Sequence, residues 1–136
     1  MDIRTALIAP LALLSACVAL PNAEAQDEPE MVVEDLIGAW DVSLYFSADA
    51  PPSSTQMTVT AVDDSVLTGS FYGSPFLKGR AIIFDDEVLF TVVTTDGSGE
   101  YLISGELDDD EIEGQVLSVG RDFLMAFEAE PTEASE

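Results

Sequence analysis

The sequence predicts an all-β chain: an eight-stranded antiparallel up-and-down barrel preceded by a short helical turn. Three observations carry this expectation. Apolar and polar residues alternate through eight segments after Gly38, which is the period of strands with one dry and one wet face. An acidic turn recurs at Asp63-Asp64, Asp85-Asp86 and Asp108-Asp109-Asp110, with starts 22 and 23 residues apart. That is the length of two strands and two turns, so the chain reads as a meander of hairpins. Eight such strands in an open sheet would leave two bare edges, and closure into a barrel removes both.

Residues 1–25 read as a targeting segment outside the fold. Arg4 is followed by an apolar run from Ala6 to Leu20, then by Pro21, Asn22 and small residues, the pattern of a signal peptide. The run is shorter than the ~20 residues of a stable span, and Pro10 interrupts it. Two cleavage sites compete. Ala23-Glu24-Ala25 is an A-x-A site, whereas Leu14-Ser15-Ala16-Cys17 resembles the lipobox of bacterial lipoproteins, in which the Cys becomes the acylated first residue. Either places the protein outside the cytoplasm, in the periplasm, in the medium or, with Cys17 acylated, as an outer-membrane lipoprotein. Cleavage after Ala25 leaves 111 residues and no cysteine, so burial rather than disulfides must stabilise one modest domain.

Residues 26–37 form a polar leader and then a short helical turn, with Met31, Val32, Leu36 and Ile37 at near-helical spacing between Pro29 and Gly38. The barrel is expected over residues 38–130. Its apolar faces are Trp40-Val42-Leu44-Phe46, Met57-Val59-Ala61, Leu67-Gly69-Phe71, the short run Ala81 to Phe84, Val88-Phe90-Val92, Tyr101-Ile103, Ile112-Gly114-Val116 and Phe123-Met125-Phe127. Asp suits the turns between them because it tolerates a positive φ and hydrogen-bonds its own main chain. Gly69, Gly105 and Gly114 interrupt apolar faces, as the bends of a closed barrel require. Residues 131–136 read as a disordered tail.

Gly38-Ala39-Trp40, placed after a helical turn and opening the first strand of an eight-stranded meander, resembles the G-x-W motif of lipocalins and related calycin barrels. The resemblance implies that Trp40 closes the narrow end and that the cavity takes a small apolar ligand. The lipocalin arginine that packs on this Trp lies beyond the last strand, whereas Arg121 precedes the last strand here.

Composition excludes much chemistry. There is no histidine, which removes histidine-dependent triads, His acid–base catalysis and His-ligated metals. No serine stands three residues before Lys78, the one lysine, as an S-x-x-K nucleophile requires. The stretch Asp108 to Gly114 does not fit an EF-hand loop, because Ile112 falls at a ligand position. A carboxylate-pair hydrolase has no distinguishing spacing among so many acids. No enzyme, cofactor or metal is therefore expected. Without residues 1–25 the chain keeps 25 acidic and 3 basic residues, a net charge of −22, which repels nucleic acid and anionic membranes. Membrane association is expected only through a lipid on Cys17.

A meander places its turns alternately at two ends. The acidic turns fall at one end. The longer loops fall at the other, with Lys78, Arg80 and Arg121, the three mature cations, beside Tyr72 and Phe76. That end is where a lipocalin-like barrel opens. The expected ligand is small and apolar or amphiphilic, its acidic head meeting Arg80, Arg121 or Lys78. The alternative is a structural or protein-interaction module whose core is filled by its own side chains. Labelled palmitate decides between the cleavage sites: incorporation that is lost in Cys17→Ser supports the lipoprotein, and an unlabelled chain beginning at Gln26 supports the A-x-A site.

Overall fold

The computed structural model describes residues 30–133. The expected signal segment, Cys17, the leader before Glu30 and the last three residues lie outside them. A 3-10 turn, η1 (Val33–Leu36), precedes β1 (Gly38–Tyr45), β2 (Ser53–Asp63), β3 (Val66–Phe71), the two-residue β4 (Ser74–Pro75), β5 (Lys78–Phe84), β6 (Glu87–Thr95), β7 (Glu100–Asp108), β8 (Glu111–Ser118) and β9 (Phe123–Pro131). Strands pair antiparallel with the next along the chain, except that β5 passes over β4 to meet β3, and β9 returns to pair with β1. Eight strands thus close into a barrel, with β4 a short appendage of β3.

The turns fall at the acidic clusters, the first shifted by one residue to Asp64-Ser65 and the third with a positive φ at Asp109 alone. Asp64 and Ser65 have φ 54° and 71°, and Asp85 and Asp86 have φ 57° and 70°. Two consecutive positive φ values are the mirror-image turn that matches strand twist. Tyr72-Gly73 makes the same turn at the opposite end, with φ 57° and 81°.

Alternation fills the barrel with the expected residues: Trp40, Val42, Leu44, Met57, Val59, Leu67, Phe71, Phe90, Val92, Ile103, Ile112, Val116, Met125 and Phe127 are buried. Three assignments shift, one of them in the run Ala81 to Phe84, where only Ala81 is buried. The register slips between Val59 and Ala61, a β-bulge in β2, and because one extra residue reverses the faces beyond it, Val62 packs on the core while Ala61 is exposed. Phe46 lies past the end of β1 and is exposed at the rim. At the other end β9 runs through Pro131, and the Thr132 N–H donates to the Ala39 carbonyl at 2.9 Å.

One layer of the interior is decided by glycine. Phe90, Gly105, Gly114 and Phe127 stand directly opposite one another on β6, β7, β8 and β9. A Cβ on Gly105 would fall 2.9 Å from the Phe90 ring, and one on Gly114 would fall 2.7 Å from the Phe127 ring. The two rings therefore occupy the space of the two absent side chains. Below them Leu36 of η1 is fully buried, and its carbonyl accepts the Trp40 indole N–H at 2.9 Å. The expected apolar set of the helical turn divides here: Leu36 enters the barrel, Met31 packs partly on the core, and Val32 and Ile37 are exposed.

Trp40→Ala removes both the ring and the bond to Leu36, and an unfolding titration should show a loss of about 3–5 kcal/mol; a loss under about 1 kcal/mol contradicts this packing. Gly105→Ala should cost about 1–3 kcal/mol by overpacking. In a Phe90→Leu background the same change should cost less, because the conflicting ring is gone.

Candidate functional site

The mouth is the end where β1 turns into β2, β3 into β4, β6 into β7 and β8 into β9. Inside it lies a cavity of about 270 Å³. Its floor is Leu44, Phe71, Val116 and Met125, its walls include Phe46, Tyr72, Tyr101 and Phe123, and its polar groups come from Ser53, Ser74, Thr94, Asp96 and Arg121. Phe46 and Phe123 pack with ring centroids 5.8 Å apart, tilted by 49°. The barrel below is filled by the core, so the cavity is a cup in the mouth and not a channel.

The 96–99 loop is built by its own side chains. Asp96 Oδ1 accepts from the Ser98 N–H at 3.0 Å and the Ser98 hydroxyl at 2.6 Å, while Oδ2 accepts from the Tyr101 hydroxyl at 2.9 Å. The Thr95 hydroxyl donates to the Gly99 carbonyl at 2.9 Å. Hydrogen bonds to the charged form, those of Ser98 first and then that of Tyr101, hold the Asp96 carboxyl down at about 2. Arg121 adds a smaller attraction, its guanidinium 4.0 Å away and more than half exposed. Asp96 is thus largely spent on its loop, and Arg121, which lines the cavity, stays more than half exposed.

Of the residues singled out in the sequence, Tyr72 and Arg121 line this cup. Lys78 and Arg80 do not. They stand on β5 out of phase with the inward Gly79 and Ala81, and are exposed on the outer wall. Phe76 folds over Gly69, where a Cβ would lie 2.9 Å from its ring. Gly38 and Trp40 belong to the opposite, closed end. The expected grouping of the three cations at the mouth fails on strand phase, which turns Lys78 and Arg80 outward, and on register, which sets Arg80 opposite Val66 beside the Asp64-Ser65 turn. The same phase marks Thr94, in step with Val88, Phe90 and Val92, as an inward residue, and Asp96-x-Ser98 is a familiar turn pattern.

Two further surfaces stand out. An open groove of about 760 Å³ crosses the outer wall from β5 to β8, between Arg80, Ile82, Leu89, Thr91, Glu106 and Glu113. Nearer the mouth, Val93, Leu102, Leu117 and Leu124 face outward and lie directly opposite one another on β6, β7, β8 and β9.

No family model matches the chain, and no curated protein matches it. Among solved structures, a redesigned β-barrel is similar, with a TM-score of 0.42 and 13% identity over 74% of this chain and 95% of that one.

Because its folded-state pKa is depressed, the Asp96 network contributes stability above the ordinary carboxylate range and loses it as pH falls through about 2. A carbon-13 NMR titration should place the Asp96 midpoint near 2. Ser98→Ala should raise the midpoint more than Tyr101→Phe does. A wild-type midpoint at the ordinary aspartate value would contradict the network.

Proposed function

We propose that this protein is an exported, non-enzymatic, lipocalin-like barrel that holds the apolar end of a small amphiphilic ligand in its mouth. The observation that carries this reading is the cup itself: an apolar, aromatic-walled hollow with one largely free cation, Arg121, at its edge. Ligand sites run from about 300 to 1,000 Å³, so about 270 Å³ admits a ring or short acyl chain while the head stays at the rim. A carboxylate or similar acidic head would meet Arg121 and the Tyr72 hydroxyl. Trp40 at the closed end opposite an open mouth supports the lipocalin-like reading, and the N-terminal apolar segment supports export. The far turns carry nine of the 22 acidic residues among residues 30–133, yet strands of eight residues span about 27 Å. That is well beyond a Debye length of about 8 Å in saline, so they do not bar an acidic head from the mouth.

The packed interior favours a second reading, a structural or protein-interaction module of the envelope that acts through its outer surface. Calorimetry with a medium-chain fatty acid, and native mass spectrometry of protein taken from its own cells, separate the two. Under the first reading the acid binds, Arg121→Ala weakens it about tenfold, or ~1.4 kcal/mol, Phe123→Ala weakens it further, and Arg80→Ala on the outer wall changes it less than about twofold. Absence of binding, or equal losses in the two arginine variants, transfers the assignment to the interaction module.

A further inference from the structure

The barrel is closed unevenly. β5 pairs with β6 over its whole length, from Lys78↔Val93 to Phe84↔Glu87. On its other side the ladder to β3 holds the single pair Val66↔Arg80, flanked by the Ala81 N–H donating to the Ser65 carbonyl at 3.0 Å. β3 begins at Val66, and the chain turns away through Asp64-Ser65 into β2. Among the described residues, no strand lies beside Ile82–Phe84 on that side.

The consequence for the main chain follows from strand alternation. Phe84 and Glu87 flank a two-residue hairpin turn, so the even residues of β5 bond to β6 and the odd ones face β3. Ala81 obeys this. The next odd residue, Ile83, therefore presents its N–H and C=O to the open side. The side chains there are apolar and uncovered: Ile82, Ile83 and Phe84 are 56%, 44% and 63% exposed, with exposed Val66 beside them. An exposed apolar edge is a liability that soluble proteins ordinarily blunt with charge or a bulge. Here no charge lies within the three residues.

The charge lies around it. Asp63 and Asp64 turn at one flank of the gap, and Asp85, Asp86 and Glu87 at the other, against one cation, Arg80. A second copy of the chain is a poor occupant, because pairing two such edges brings these carboxylates together on molecules that already repel. We infer that the open edge of β5 at Ile82–Phe84 is a docking site for an extended peptide segment of a partner protein, one with apolar side chains between flanking lysines or arginines. The segment adds as a short strand. Its main chain bonds to Ile83, its alternate side chains cover Ile82 and Phe84, and its cations meet the two aspartate turns. This site lies at the opposite end from the mouth and does not depend on the ligand reading.

The test uses the chain as isolated from its producing cells and a synthetic peptide of alternating valine and threonine between paired terminal lysines, with a glutamate-flanked version as comparison. Nitrogen-15 NMR reads both the affinity and the exchange of the Ile83 amide. The expected result is binding of the lysine peptide, with Ile83 exchange slowed about tenfold or more. Ile83→Pro removes only an N–H that has no partner among the described residues, and should weaken binding about tenfold or more. Circular dichroism checks that this variant is folded. Should it fail to fold, Asp85→Asn with Asp86→Asn keeps the turn chemistry and should weaken binding about threefold or more while flattening its salt dependence. Equal binding of the two peptides, an unchanged Ile83 amide, or Ile83 protected by self-association without peptide overturns the inference.

Discussion

The inside of an eight-stranded barrel is too narrow for eight large side chains at one level, and in this chain the conflict is resolved by leaving two of them out. Phe90 and Phe127 lie over Gly105 and Gly114, and that row separates what is below from what is above. Below it, Leu36 and Trp40 complete a dry plug tied by an indole-to-carbonyl bond. Above it, the mouth holds a cup floored by Leu44, Phe71, Val116 and Met125 and walled by Phe46, Phe123, Tyr72 and Tyr101.

The same filling bears on stability. With no cysteine among residues 30–133, burial must supply what disulfides give many small exported domains. A continuous core from Leu36 to Met125 supplies it. A deeper cavity would enlarge the cup and remove the packing that holds the barrel closed. A shallow cup over a solid core is a compromise consistent with a small domain.

Much of this arrangement was legible in the sequence, because it depends on local rules. The period of 22 to 23 residues specified hairpins, the aspartates specified their turns, and the alternation specified which aromatic residues turn inward. What was not legible depended on geometry between strands. The bulge that exchanges Ala61 for Val62 leaves no mark in an alternation already broken by threonines. The run Ala81 to Phe84 reads as a buried strand, yet only Ala81 is covered, since β3 starts too late to reach the rest. Lys78 and Arg80 were placed at the mouth, but strand phase turned both outward and Arg80 stands opposite Val66 beside the Asp64-Ser65 turn of the other end, whereas Arg121 reached the mouth because it sits in a turn rather than a strand. The Asp96 network needed a tyrosine five residues away to arrive at the same carboxylate.

The pairing of β1 with β9 carries a consequence beyond closure. Trp40 stands opposite Pro131, and Thr132 is bonded to Ala39, so the two ends of the barrel meet side by side at its closed end. Every other ladder joins strands that follow one another along the chain, β3 and β5 across only the two-residue β4, and only this one must bring together residues separated by nearly the whole domain. It is the slowest contact to find and the natural last step of assembly. Topologically, the domain is a ring in which the position of the termini is almost arbitrary. Joining its ends with a short linker and opening any hairpin turn would yield a permuted chain with the same list of neighbours, folding toward the same barrel from a different starting strand.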